Sequence, residues 1–351
     1  MPACRRRGAW SARVARAVAL LAVLSLPACG SATSRSQLAR ALLWRDADID
    51  DIERFPARAV PTGSETHAWI PGSAAGYDSL TAPIRVQGDD VATPLEEFLE
   101  SRGTTALLIA RGDTLLYERY FAGFRGDSLH TVFSVSKSVL SAALGAALAR
   151  GLVGDLDDPI TRYVPELLER DTAFAAITLR HLVTMSSGLG WEDSMTPWGD
   201  PADTYYSTDL RGVAKSARIE EPPGRRFLYN NYNPLLVGLA VERAVDTTLS
   251  AFLSEAVWAP MGAEADASWS LDRADGGFEK MESGFNAGAR DLARFGLLYL
   301  RGGRFGSRQI LPRSWTEASV AADSVSDPSV EYQHFWWVDP RPGGRPHFWA
   351  E

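Results

Sequence analysis

The sequence predicts an α+β fold: an antiparallel sheet flanked by helices, with an all-helical lobe inserted between the two parts of the chain that supply strands. Three observations lead there. Residues 104–121, TTALLIARGDTLLYERYF, are two β-prone runs broken by Gly112-Asp113, which is the pattern of a hairpin. Residues 135–150 form an Ala/Leu-rich run that stops at Gly151, as a buried helix with a glycine terminator does. Near the other end, EYQHFWWV and RPHFWAE read as a second strand pair, separated from the first by a helical and loop-rich stretch over about 155–320. Strands from both ends around an inserted lobe give a layered sheet-and-helix domain.

The remaining segments follow in order. Residues 1–28 read as an export signal. Arg5, Arg6, Arg7, Arg13 and Arg16 make a positive start, and residues 17–28 are apolar but too few to span a bilayer. The signal ends in Leu26-Pro27-Ala28-Cys29-Gly30, which resembles a bacterial lipoprotein box with Cys29 as the lipidated residue. The expectation is an exported periplasmic or cell-envelope lipoprotein, touching membrane only through that anchor. Residues 29–60 are polar and read as a tether, and 61–351 as the folded domain. Residues 61–95 carry Pro and Gly breaks and are expected to wrap the surface. PLEEFLESRG, residues 94–103, reads as a short helix.

Composition narrows the function. The chain has 351 residues, 45% hydrophobic and 10% aromatic, enough for a sizeable core. Its net charge is −8, and loss of the signal's five arginines would make it more acidic, which argues against nucleic acid as a partner. Both cysteines, Cys4 and Cys29, lie within the first thirty residues, and the five histidines show no metal-ligand spacing. Neither a metal nor a cofactor is expected.

The chemistry is signalled by lysine. Of 36 basic side chains only Lys137, Lys215 and Lys280 are lysines. Lys137 stands three residues after Ser134, in Thr131-Val-Phe-Ser134-Val-Ser-Lys137. Arginine does not release its proton in a protein, whereas a buried lysine can. On a helix, positions three apart share a face, so Lys137 would lie one turn below Ser134 among apolar neighbours that favour a neutral amine. The helix N-terminus would bring backbone N–H groups to the serine. Nucleophile, base and part of an oxyanion site would occupy one turn.

A second constellation is Phe227-Leu-Tyr229-Asn-Asn231-Tyr-Asn233 before the helical LLVGLAVERAV. A tyrosine beside a lysine can relay a proton, and an asparagine amide can orient lysine and substrate. Taken alone, the same residues would serve as helix-capping and core-packing groups.

Together, Ser134-x-x-Lys137 and Tyr229-x-Asn231 resemble the serine β-lactamase and penicillin-recognising superfamily, in its class C-like branch. LDDPITRYVPEL, ITLRHLVTMSSGLGW and ESGFNAGARDLARFGLLYLRGG are similar to its esterase and 6-aminohexanoate-dimer hydrolase members. The resemblance implies a β-lactamase/transpeptidase-like fold and an acyl-enzyme on Ser134. Lys137 would share its proton, Tyr229 would act as base and activate water, and Asn231 would orient the substrate. The substrate would be a small ester, amide or peptide. A D-amino-acid peptidase, a β-lactamase or a non-catalytic penicillin-recognising sensor would use the same residues. The family's third motif, on a strand beside the nucleophile, is expected after a segment like HFWAE; the chain as given stops at Glu351, and the last strands and a C-terminal helix are expected to be missing from it.

Other residues take lesser parts. Trp191, Trp198, Tyr205 and Tyr206 lie on an acidic loop and would line the acyl pocket or simply pack it, with Tyr205 or Tyr206 a candidate donor to a leaving amide. His181 reads as structural, Ser186 and Ser187 as turn formers, and Asp291 with Arg294 as a helix-capping, salt-bridging pair. Ser136 is a candidate for polarising the site.

Overall fold

The computed structural model describes residues 32–44, 46–73, 83–85, 92–194, 196–323, 328, 331–339 and 347–351. The export signal and Cys29 lie outside the described residues. In chain order come helix α1 (Ala32–Trp44), strands β1 (Ala57–Val60) and β2 (Ile70–Pro71), and helix α2 (Leu95–Ser101). The hairpin β3 (Ala106–Arg111) and β4 (Thr114–Tyr120) follows, then β5 (Leu129–Thr131) and α3 (Val135–Ala149). A helical region holds α4 (Leu167–Arg170), α5 (Leu179–Val183), α6 (Asp200–Tyr206), α7 (Leu210–Ser216), α8 (Tyr232–Val245) and α9 (Leu249–Leu253). Strands β6 (Ala267–Ser270) and β7 (Phe285–Gly288), helix α10 (Ala289–Leu300), the short pair β8 (Arg304–Phe305) and β9 (Arg308–Gln309), and helix α11 (Arg313–Ser319) come next. The chain closes on β10 (Tyr332–Gln333), β11 (Trp336–Val338) and β12 (Phe348–Trp349).

The fold is α+β, as expected, and the hairpin turns at Gly112, whose φ of 58° is a left-handed value glycine adopts freely. Two expectations are corrected. The first is the tether. Residues 32–44 are helical, and β1 is an edge strand of a four-stranded antiparallel sheet ordered β1-β6-β7-β5. Distant groups impose that order: Arg40 donates to the carbonyls of Tyr206 (3.3 Å), Ser207 (3.2 Å) and Asp272 (2.9 Å), and Trp44 packs edge-on against Phe55 and Tyr206. The second is the all-helical lobe over 155–320. Its helices give way to β6, β7, β8 and β9, and β6 and β7 are the inner strands of that sheet. The hairpin joins β2 in one three-stranded sheet and the C-terminal strands form another, ordered β10-β11-β12.

The core is organised around α3. Every residue from Ser136 to Ala147 is buried, and α3 packs on α8, itself buried from Tyr232 to Val241. The packing is close: a Cβ on Gly145 would stand 2.5 Å from the Trp315 ring, so only glycine lets α11 approach here. Polar groups in the central sheet are paired. Asn286, fully buried on β7, accepts from Thr131 Oγ1 at 2.8 Å and donates to Ser268 Oγ and Ser270 Oγ at 3.1 Å each. Its amide thereby joins β5, β7 and β6. The Asp291–Arg294 pair is as expected: Arg294 Nη1 reaches Asp291 Oδ1 at 2.7 Å, and that carboxylate also accepts the N–H groups of Glu264 and Ala265. Among the described residues, no helix is long and apolar enough to cross a membrane.

Candidate active site

Strand β5 delivers the chain to Ser134, which starts α3 as its N-cap residue. The preceding residue, Phe133, has a φ of 45°, a left-handed value that a bulky side chain rarely takes. Such strain persists only where surrounding structure over-determines it. Here the next turn is pinned: Ser136, fully buried, accepts from Phe285 N–H at 2.9 Å and holds the start of α3 against β7. The suggestion that Ser136 polarises the site gives way to this anchoring role.

Lys137 lies one turn below Ser134, as the spacing predicted. Its Nζ is 2.8 Å from Ser134 Oγ and donates at 2.8 Å to the Glu282 carbonyl. The residue is 1% exposed, whereas Ser134 is half-buried and reachable. The Tyr229 ring covers the amine at 4.9 Å from its centroid. Thus Ser134, Lys137 and Tyr229, two of them about 95 residues apart in sequence, meet at the N-terminus of α3. Trp337 stacks on Tyr229 at 5.8 Å, and Tyr332 stands perpendicular to it at 5.7 Å, so β10 and β11 supply its wall.

The structure also shows what Glu282 does, which sequence reasoning missed. Its backbone holds Lys137, while its buried carboxylate accepts from Lys280 Nζ at 3.0 Å and from Ser283 Oγ at 2.7 Å. Lys280 donates to the Tyr205 carbonyl at 2.6 Å and lies over the Tyr205 and Phe55 rings. Burial pushes its pKa below that of an ordinary lysine, and the Glu282 carboxylate opposes that shift. The signal was in the sequence: Lys280 is one of only three lysines.

Asn231 ends the loop before α8, and its amide donates to Thr204 Oγ1 at 3.1 Å. With Tyr205 and Tyr206 of α6 it lines a cavity of about 390 Å³ walled also by Ala41 and Asp46, from the segment expected to be a tether. Tyr205 is not available to a leaving amide, because its hydroxyl donates to Asp51. Tyr206 is 7% exposed and packs with Trp44. Trp191 lies edge-on to Tyr232, 5.8 Å away, beneath the loop, and Trp198 projects to solvent. His181 is structural: it shares a capping box with Thr178 at the start of α5. Ser187 donates to Asn233 Oδ1 at 2.6 Å and ties the turn before Leu189 to α8. Among the described residues no cluster of His, Cys, Asp and Glu has the arrangement of a metal site.

The β-lactamase family model matches residues 91–350, nearly three-quarters of the chain. The chain belongs to the β-lactamase family. This family member is 31% identical over 302 residues to the 6-aminohexanoate-dimer hydrolase of Paenarthrobacter ureafaciens, covering 76% of this chain and 74% of the relative. Its structure resembles that of a Bacillus anthracis protein described as a candidate 6-aminohexanoate-dimer hydrolase, with a TM-score of 0.71 and 25% identity over 91% of this chain and 85% of the other. It also shares the fold of a penicillin-binding protein from Bacillus halodurans, with a TM-score of 0.55 and 18% identity over 71% and 85% of the two chains. The β-lactamase/transpeptidase-like fold and the hydrolase branch expected from the sequence are both found.

Proposed function

We propose that this β-lactamase-fold hydrolase works through an acyl-enzyme on Ser134 and cleaves a small ester or linear amide. The observation that carries the reading is the 2.8 Å contact between Lys137 Nζ and Ser134 Oγ, with the amine buried beneath Tyr229. Neutral Lys137 takes the hydroxyl proton as Ser134 Oγ forms a bond to the substrate carbonyl carbon. The N–H of Ser134, at the positive end of α3, faces the developing oxyanion. When the tetrahedral adduct collapses, the bond to the leaving alkoxide or amine breaks and the proton returns to it from Lys137 through Tyr229. Water then attacks the acyl-serine, giving a proton to the same pair, and release of the acid restores the Ser134 hydroxyl. The relative named for 6-aminohexanoate dimer supports a linear amide as the substrate class.

The test is turnover of a short-chain chromogenic ester and of an aminohexanoyl amide, beside Ser134→Ala. The reading expects turnover of at least one, loss of at least a thousandfold in Ser134→Ala, and one fluorophosphonate bound per chain on Ser134. Equal rates for wild type and Ser134→Ala would overturn it. Stoichiometric labelling of Ser134 without turnover of any acyl donor would instead place the protein among slow-acylating sensors.

A further inference from the structure

The carbonyl that holds Lys137 belongs to a turn. Residues 281–283 form it, between the bridge at Glu279 and β7. The Lys280 carbonyl closes the turn, accepting from the N–H groups of Ser283 at 3.2 Å and Gly284 at 2.7 Å. A strand carbonyl is aimed by its ladder, whereas the Glu282 carbonyl faces Lys137 Nζ at 2.8 Å, so its aim depends on how the turn is held. The side chain of Glu282 is part of that hold. Fully buried, it accepts from Lys280 Nζ at 3.0 Å and from Ser283 Oγ at 2.7 Å. Lys280 Nζ also donates to the Tyr205 carbonyl of α6 at 2.6 Å, and it lies 4.0 Å from the centre of the Tyr205 ring and 4.6 Å from that of Phe55. Two hydrogen bonds and two aromatic faces enclose the amine.

These contacts continue into the N-terminal segment. Phe55 meets Tyr205 edge-on at 5.6 Å, and the Tyr205 O–H donates to Asp51. The buried Asp51 carboxylate also accepts from Arg54 Nη1 at 2.6 Å and from the Asp48 N–H at 3.2 Å. Asp51 sits in a short 3-10 helix, Ile49–Glu53, which lies ahead of the β-lactamase-family match. A continuous set of contacts therefore runs from Asp51 through Tyr205, Lys280 and Glu282 to Lys137 and Ser134.

We infer that Lys280 and Glu282 are positioning residues for Lys137 in the reaction proposed above, and that they tie the 49–55 segment to catalysis. A neutral amine has two N–H groups and one lone pair. With one N–H held by the Glu282 carbonyl and Ser134 Oγ on another side, each at 2.8 Å, the lone pair is turned to the serine proton. Displacing that carbonyl by about 1 Å frees the amine to rotate, and a misplacement of that size costs up to about a hundredfold in rate. Without the ion pair, the turn keeps its backbone bonds but loses its anchor to α6 and, through Tyr205 and Asp51, to the N-terminal segment. Tyr205, expected to donate to a leaving group, thus acts through other residues instead.

The test is the paired variant Lys280→Met/Glu282→Gln, because removing either charge alone would strand the other in the interior. The inference rests on the proposed roles of Ser134 and Lys137, so Ser134→Ala is run alongside. In the paired variant, kcat for the chromogenic ester should fall about 10- to 100-fold while KM changes less than about threefold. Fluorophosphonate should still label Ser134 to completion, but more slowly by a similar factor. Tyr205→Phe keeps the ring and the carbonyl and loses only the Asp51 contact. It should lower kcat about threefold or more on its own and have no further effect in the paired variant. It also keeps the test open if the paired variant folds poorly, which urea unfolding reports. A folded paired variant with kcat within about twofold of wild type overturns the positioning role. A Tyr205→Phe that leaves kcat unchanged, or lowers it equally in both backgrounds, overturns the link to the N-terminal segment. If Ser134→Ala retains wild-type turnover, the proposed function itself falls.

Discussion

Replacing Lys137 by methionine keeps a long unbranched side chain and removes the amine, and the structure states what is lost. Two hydrogen bonds disappear, each 2.8 Å long, one to Ser134 Oγ and one to the Glu282 carbonyl. A buried carbonyl deprived of its donor costs about 1–3 kcal/mol. Against this, the variant no longer buries a polar amine at 1% exposure, and relief of that desolvation offsets part of the loss. The net stability change should lie within about 2 kcal/mol, so the fold survives. Activity should not. A positioned general base contributes about 10²–10⁴ in rate, so kcat/KM should fall roughly a thousandfold, or about 4 kcal/mol of barrier. Lys137→Arg tests the base directly, because a guanidinium keeps a long donor side chain but stays protonated and cannot act as a base at neutral pH. Ester turnover, urea unfolding and fluorophosphonate labelling of each variant decide the matter. If either variant keeps more than a tenth of wild-type kcat/KM while Ser134→Ala is inactive, Lys137 is not the base.

Two further outcomes concern stability. Asn286→Ala removes three buried hydrogen bonds linking β5, β7 and β6, and should cost about 3 kcal/mol, read as a lower urea midpoint with the m-value unchanged. His334 is held neutral by burial, its pKa lowered to about 4, while it stacks on Trp315. An unfolded histidine titrates near 6.5, so the unfolded chain binds the extra proton between those values. The contribution of His334 is therefore complete above about pH 6.5 and lost as pH falls towards 4, reaching about 3 kcal/mol. Urea unfolding of wild type and His334→Asn at pH 7 and 4.5 should show the acid-induced loss reduced in the variant; parallel losses would refute it.

What was legible in the sequence was what depends on near neighbours or on rarity. The hairpin at Gly112, the helix after Ser134 and the Ser134–Lys137 contact need only a strand pattern, a glycine stop and a three-residue spacing. Tyr229 required the family's motif order, because nothing local says that a loop 95 residues on returns to cover Lys137. The failures have a common cause. Helix α1 looks like tether because its sequence is polar; it is held by Arg40 reaching carbonyls 166–232 residues away. Strands β6 and β7 were hidden inside a helical region because each is only four residues long, too short for the alternation in ASWS and FNAG to stand out. Phe133 gave no sign of its left-handed backbone, since tertiary contacts rather than residue type impose it. Lys280 was visible as a rare lysine, but its pairing with Glu282 required the burial that only the fold supplies.

Asn286 has a consequence for how the sheet can form. Side chains alternate faces along a strand, so a shift of one residue between β5 and β7 would turn away the face that meets Thr131. The mispaired sheet would bury an amide and several hydroxyls with nothing to bind, at a cost of several kcal/mol. The alignment now seen satisfies those groups together. The strand that leads into Ser134 thus carries its own proofreading: a nearly correct sheet is not nearly as stable as the correct one, and the serine is presented only when the register is right.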